Sequence, residues 1–238
     1  MESGLWLLTM TAASIGFIHT LVGPDHYVPF TVMSRARNWS FAKTMGITFL
    51  CGVGHILSSI VLGFVGIAFG IAVAKLEWIE SQRGEVAAWL LIIFGFFYMV
   101  WGIRQGVMGK THEHLHIHTD GEIHRHTHQH KEEHSHFHSR QEEPNLTPWI
   151  LFTIFVFGPC EPLIPLLMYP AAQNSVAGVC WVATVFGTVT ISTMMVLVVL
   201  TRWGILQILP LKWFERYMHA LAGGTILFCG LAIQFLGL

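Results

Sequence analysis

Long apolar runs separated by polar stretches dominate the chain, at residues 5–33, 44–74, 86–103, 147–169, 176–201 and 217–238. Each holds about the 20 positions that a helix needs to cross the hydrocarbon core of a bilayer, and the first two are longer. The pattern predicts an all-α membrane protein of six transmembrane helices. The first run is interrupted by Gly23 and Pro24, and the fourth by Gly158 and Pro159. Proline removes a backbone donor, so such breaks are tolerated within a membrane only where they line a cavity or pack on protein. A polar insert, residues 104–146, separates the third run from the fourth and is too polar to pack, so disorder is expected for it.

Laid on itself at a constant offset of 135 residues, the chain pairs Gly23 with Gly158, Pro24 with Pro159, Gly52 with Gly187, Ile56 with Ile191, Glu80 with Glu215 and Gly95 with Gly230. Sixteen identities fall in the 82 aligned positions from Val22 to Ile103, in one register through three successive runs. Residues 1–103 and 147–238 therefore read as two related three-helix repeats flanking the 104–146 insert. Because three is odd, the second copy must enter the membrane in the opposite sense. This predicts an inverted repeat, with a substrate site near the midplane where broken helices meet, as in many secondary transporters.

Composition agrees with a bilayer solvent: 53% of residues are apolar and 11% charged, and the formal net charge is −1. That balance gives no argument for a nucleic-acid partner. The distribution of charge is more informative, since 11 of the 13 Lys and Arg residues fall in the first, third and fifth loops. Only Lys75 and Arg83 lie in the even loops, beside Glu77, Glu80 and Glu85. Cytoplasmic loops collect basic residues, so both termini are expected outside an inner or plasma membrane and the insert in the cytoplasm. No basic segment precedes the first apolar run, which is read as the first transmembrane helix rather than a cleaved signal. The four cysteines, Cys51, Cys160, Cys180 and Cys229, all lie in apolar runs, at spacings that fit neither a zinc module nor a secreted disulfide framework.

Candidate chemistry gathers at the breaks. His19, Asp25 and His26 surround Gly23 and Pro24, and ionisable groups at membrane depth mark a pathway or binding site by default. In the second half Cys160 occupies the repeat position of Asp25, and Glu161 that of His26. His55, in the second run, adds a further imidazole. Imidazoles with a carboxylate suit a borderline divalent ion such as Ni²⁺, Co²⁺ or Zn²⁺ better than Mg²⁺ or Ca²⁺. The expected metal set is thus His19, Asp25, His26, His55, Cys160 and Glu161. No phosphate-binding loop appears, so transport is expected to draw on gradients or another subunit, and nothing argues for an enzyme. The insert carries 11 of the 15 histidines: His112, His114, His116, His118, His124, His126, His128, His130, His134, His136 and His138. A tract of this composition reads as an auxiliary metal buffer, donor or sensor.

The segment from His19 through Gly23, Pro24, Asp25 and His26 resembles the histidine/aspartate signature of the nickel/cobalt transporter families, in particular their six-span urease-accessory nickel permease form. Gly158, Pro159, Cys160 and Glu161 with the prolines that follow resemble that form's second motif, and the His-rich insert is similar to a loop of nickel/cobalt exporters. The resemblance implies a carrier of Ni²⁺ or Co²⁺, with no cofactor beyond the transported ion and a cytoplasmic metallochaperone as a potential partner. The wider superfamily also contains sulfite or organosulfur exporters and membrane thiol-electron carriers. The latter use one cysteine from each half, and here the counterpart of Cys160 is Asp25. An anion exporter would want basic or amide groups where these spans offer carboxylates, imidazoles and a thiol.

Overall fold

The structure is a computed structural model describing residues 2–108, 112–117, 123–128, 146–158, 160, 162–173, 175–208 and 216–237. Helix α1 (Glu2–Val22) leads through a 3-10 turn (Pro24–His26) into α2 (Val28–Ala36), followed by α3 (Phe41–Ala68) and α4 (Val73–Met108). The insert contributes two strands, β1 (His112–Ile117) and β2 (Ile123–His128). Then come α5 (Thr147–Phe157), α6 (Leu163–Ala172), α7 (Val176–Ile208) and α8 (Met218–Leu236).

Helices α3, α4, α7 and α8 are each long and apolar enough to cross a membrane. The α1/α2 pair passes the same test as one unit bent by 84°, which makes four spans, or five with the bent pair. Helices α5 and α6 are apolar but have only 11 and 10 residues, and neither could cross alone. Large apolar side chains such as Trp6, Phe49, Phe97, Trp149 and Phe228 point outward. That exterior suits lipid, not water.

One expected loop is helix. Lys75, Glu77, Glu80, Arg83 and Glu85 all lie on α4, which runs for 36 residues, about 54 Å at 1.5 Å per residue. The charges do not break the helix because Glu80 and Arg83 pair with each other one turn apart, inside the protein, rather than facing water. Residues 104–108, expected at the start of the insert, complete the same helix. Elsewhere local chemistry sets the ends: the Ser40 side chain accepts the Lys43 N–H at the start of α3, and Gly70, at φ 61°, makes the left-handed turn into α4. In the insert, where disorder was expected throughout, residues 112–117 and 123–128 instead form β1 and β2, paired antiparallel with His112 opposite His128, His114 opposite His126 and His116 opposite His124.

Close helix approach rests on small residues. A Cβ on Gly52 of α3 would lie 3.2 Å from Ile191 Cγ1 on α7, and one on Gly187 of α7 would lie 3.1 Å from Ile56 Cγ2 on α3. Helices α4 and α8 touch backbone to backbone: Gly95 abuts the Leu227 N–H and Gly223 abuts that of Met99, while a Cβ on Gly230 would be 2.9 Å from the Ile92 nitrogen. At the end of the bundle nearest the insert, Arg202 of α7 donates to Ser34 Oγ at 2.8 Å, Thr44 Oγ1 at 3.2 Å and the Trp39 carbonyl at 3.2 Å, tying α2 and α3 to α7. Arg37 stacks over Tyr98 and Trp101 of α4 at the same end, 5.4 Å from each ring.

The packing predicts a contrast between two glycines. Gly95→Val drives a side chain into the α8 backbone and is expected to destabilise by about 3 kcal/mol or more, the upper end for overpacking. Gly46→Ala, which meets nothing within 4 Å, is expected to be neutral or to stabilise by about 0.5–1 kcal/mol. Thermal unfolding of the two variants in detergent checks this, and equal midpoints would refute the backbone contact.

Candidate metal centre

The first site residues are placed by the end of α1. Gly23 N–H still donates to the His19 carbonyl at 3.0 Å, but Pro24 has no N–H and the helix stops. The following turn, with His26 N–H donating to the Gly23 carbonyl at 3.1 Å, folds the His26 ring back onto His19. The two rings meet edge to face with centroids 4.7 Å apart. Gly23 is required by space: a Cβ there would sit 2.6 Å from His26 Nδ1 and 2.9 Å from Asp25 Oδ1.

Helix α3 supplies the third imidazole. The His55 ring lies 5.1 Å from that of His26 and 6.4 Å from that of His19, centroid to centroid. One ring nitrogen from each of the three histidines lies within 4.8 Å of the others. Three imidazoles on one ion at about 2.1 Å need their nitrogens within roughly 4 Å of one another, a difference that small ring rotations close. Nε2 of His19, of His26 and of His55 are all buried without a hydrogen-bond partner, and the backbone carbonyl of Phe155 is the polar neighbour of the His55 ring. Each unpaired buried polar atom costs about 1–3 kcal/mol. A shared cation would satisfy the three Nε2 lone pairs at once, so the donor set fits a borderline divalent metal.

Asp25 does not join the three nitrogens. Its Oδ1 lies 3.1 Å from His26 Nδ1, which also faces the Gly23 carbonyl at 3.2 Å. Two acceptors at Nδ1 hold the proton there and leave the Nε2 lone pair for a metal, the carboxylate-histidine arrangement that orients metal ligands.

The histidines line a cavity of about 410 Å³ whose other walls include Ile15 and Ile18 of α1, Gly84 and Ala88 of α4 and Gly237 beyond α8. These positions lie toward the chain termini and away from the insert. Toward the insert, the rings of Phe30 and Phe155 meet at 4.7 Å and belong to a buried apolar cluster with Met33, Leu151, Met194 and Ile226.

Of the sequence-predicted residues, the structure thus brings together His19, His26 and His55, with Asp25 behind His26. Cys160 is fully buried in a second apolar cluster with Ile56, Leu163 and Phe186, and not among the three imidazoles. Register through the repeat located it within the unit, but the chain leaves the second break in a direction that turns its side chain elsewhere. Glu161 and Pro159 lie outside the described residues. So do His118, His130, His134, His136 and His138; His112, His114, His116, His124, His126 and His128 lie on the two strands.

Sequence reasoning missed a polar network at the second break. Glu80 is fully buried, and its Oε1 accepts from Arg83 Nη1 at 2.6 Å. Arg83 Nη2 donates to Ser58 Oγ at 2.7 Å and to the Val156 and Gly158 carbonyls at 2.8 and 3.4 Å. Its Nη1 also reaches Ser59 Oγ at 3.4 Å, and Glu80 Oε2 accepts the Cys160 N–H at 3.2 Å. The one available signal was that Glu80 keeps the repeat register with Glu215. No family model, curated protein or solved structure matches the chain.

The orienting role of Asp25 predicts graded losses. Asp25→Ala is expected to weaken metal binding by about 10–100-fold, the usual effect of removing a ligand's hydrogen-bond partner. Asp25→Asn, which keeps an acceptor oxygen but not the charge, is expected to fall between that and the native protein. Titration of Co²⁺ absorption on purified protein with the insert histidines changed to serine checks the order.

Proposed function

We propose that this chain is a secondary carrier that moves a divalent transition-metal ion, Ni²⁺ or Co²⁺ first and Zn²⁺ third, across a membrane, and that it is not an enzyme. The observation that carries the reading is the convergence of three unpartnered, buried imidazole nitrogens at a helix break beneath a cavity. Ionisable groups gathered at such depth in a lipid-embedded bundle mark a binding site or pathway by default, and three imidazoles suit a cation.

The architecture behind the proposal is an inverted repeat of six spans. Two reciprocal contacts support it: Gly52 meets Ile191 as Gly187 meets Ile56, and Gly95 meets Leu227 as Gly230 meets Ile92. In each case both partners shift by 135 positions, which is what a twofold relation between the halves requires. In this reading α5 and α6 together form one broken span, the counterpart of α1 with α2; their 11 and 10 residues give about 30 Å of helix in sum, one hydrocarbon thickness. The charge distribution favours termini outside and the insert in the cytoplasm, so the cavity opens outward while the cluster around Phe30 and Phe155 closes the inner side. Transport then consists of rocking the halves about the two breaks. The insert serves as an auxiliary metal store. In the strand register His112 pairs with His128, His114 with His126 and His116 with His124, which is compatible with that role.

Flux of Ni²⁺, Co²⁺ and Zn²⁺ into proteoliposomes tests the reading. The native chain should carry at least one of them, the double variant Asp25→Ala/His26→Ala and the single variant His55→Ala should lose at least about 90% of the flux, and deletion of residues 112–138 should leave residual flux. Native-level flux in the histidine variants, or none in the native chain, would overturn it and bring a sulfur-anion exporter or a thiol-electron carrier forward.

A further inference from the structure

The pair Glu80 and Arg83 lies outside the metal centre, yet it reaches that centre by two routes. Arg83 gathers five acceptors from three helices: Glu80 on α4 itself, Ser58 and Ser59 on α3, and the Val156 and Gly158 carbonyls at the end of α5. Glu80 takes the Cys160 N–H on the far side of the same break. The carbonyls exposed before the break are thus capped by a cation, and an amide after it by an anion, as helix ends require. No residue of the first break receives such a clamp from α8 among the described residues. That break is held by its own His26 and Asp25.

Both routes end at His55. Ser58, which accepts from Arg83, donates to the His55 carbonyl at 2.8 Å. The clamped segment also forms the wall against the imidazole: the Phe155 ring lies 6.3 Å from the His55 ring, and a Cβ on Gly158 would be 3.0 Å from His55 Nδ1. Apart from the Phe155 carbonyl, which belongs to the same clamped segment, the His55 ring has no hydrogen-bond partner. Its orientation is therefore set by this wall and by the other two histidines.

We infer that Glu80 and Arg83 are positioning residues for the metal site, holding the second helix break so that His55 presents Nε2 to an ion held by His19 and His26. The inference rests on the metal-carrier reading above. A guanidinium is suited to this, because its planar fork can serve acceptors in several directions while an ammonium serves fewer in fixed geometry.

The test uses the full-length chain in proteoliposomes, with Co²⁺ flux measured over a range of concentrations for the native protein, His55→Ala, Arg83→Gln, Arg83→Lys and Glu80→Gln. Arg83→Gln should raise the half-saturating concentration by about tenfold or more, the usual consequence of losing a group that orients a ligand, with a smaller change in maximal rate. Arg83→Lys should fall between it and the native protein. A purely structural role would instead lower the amount of folded protein, read by gel filtration, and leave the half-saturating concentration of the folded fraction unchanged; that result overturns the inference. Should Arg83→Gln fail to fold, the half-saturating concentrations of Arg83→Lys and Glu80→Gln decide the matter in the same way. Co²⁺ flux that His55→Ala leaves intact would overturn the carrier reading itself. Flux that depends on His55 but not on Arg83 or Glu80 overturns this inference alone.

Discussion

A bilayer offers no water to a broken helix, so every backbone group released by a break must find its partner within the protein. The two breaks meet this constraint differently. At Gly23 and Pro24 the turn closes on itself, with His26 bonded through both its backbone N–H and its ring to the Gly23 carbonyl. At the second break the partners come from another helix, as Arg83 and Glu80 of α4 reach across to Val156, Gly158 and Cys160. The first solution leaves imidazole nitrogens over. Among the described residues, the polar groups at the second go into holding the chain, so unpartnered nitrogens gather beside one break and a hydrogen-bonded framework beside the other.

Glycine contacts give that asymmetry a symmetric frame. Interhelical attraction in lipid comes from close packing rather than from hydrophobic burial, and the backbone approach of α4 to α8 at Gly95, Gly223 and Gly230 is of that kind. The α3 and α7 contact through Gly52 and Gly187 lies one turn from His55, so the imidazole is mounted on a helix that cannot shift without moving its partner. A buried ion pair, weak as evidence for stability because of its desolvation cost, makes more sense here as a device for registering α4 against the break.

Much of this was legible in the sequence, and the rest was hidden for identifiable reasons. Helix α8 follows its apolar run closely, α3 and α7 each cover most or all of theirs, and both breaks fall at their Gly-Pro pairs. His19, His26 and His55 stood out because an imidazole in an apolar run has few structural excuses. Glu80 and Arg83 did not, since a hydropathy window sees a charged stretch as water-facing whether its charges meet solvent or each other. The loop expected at residues 75–85 is therefore part of α4. Cys160 shows a different limit: repeat register fixes a position along the chain, whereas the direction of a side chain just after an irregular break depends on how the break is pinned, here by Glu80 on its backbone N–H.

For the proposed carrier, the division of labour between Asp25 and the histidines bears on how an ion could leave. Hard cations such as Ca²⁺ require six to eight oxygen ligands, and three imidazoles offer none, so the site disfavours them. A carboxylate bound directly to the ion would add charge and deepen the well. Asp25 is instead engaged with His26 Nδ1, which leaves the ion facing neutral nitrogens and the open cavity. A transport site must bind firmly enough to capture its ion and weakly enough to release it. Placing the negative charge one bond behind the ligand provides orientation without full electrostatic capture.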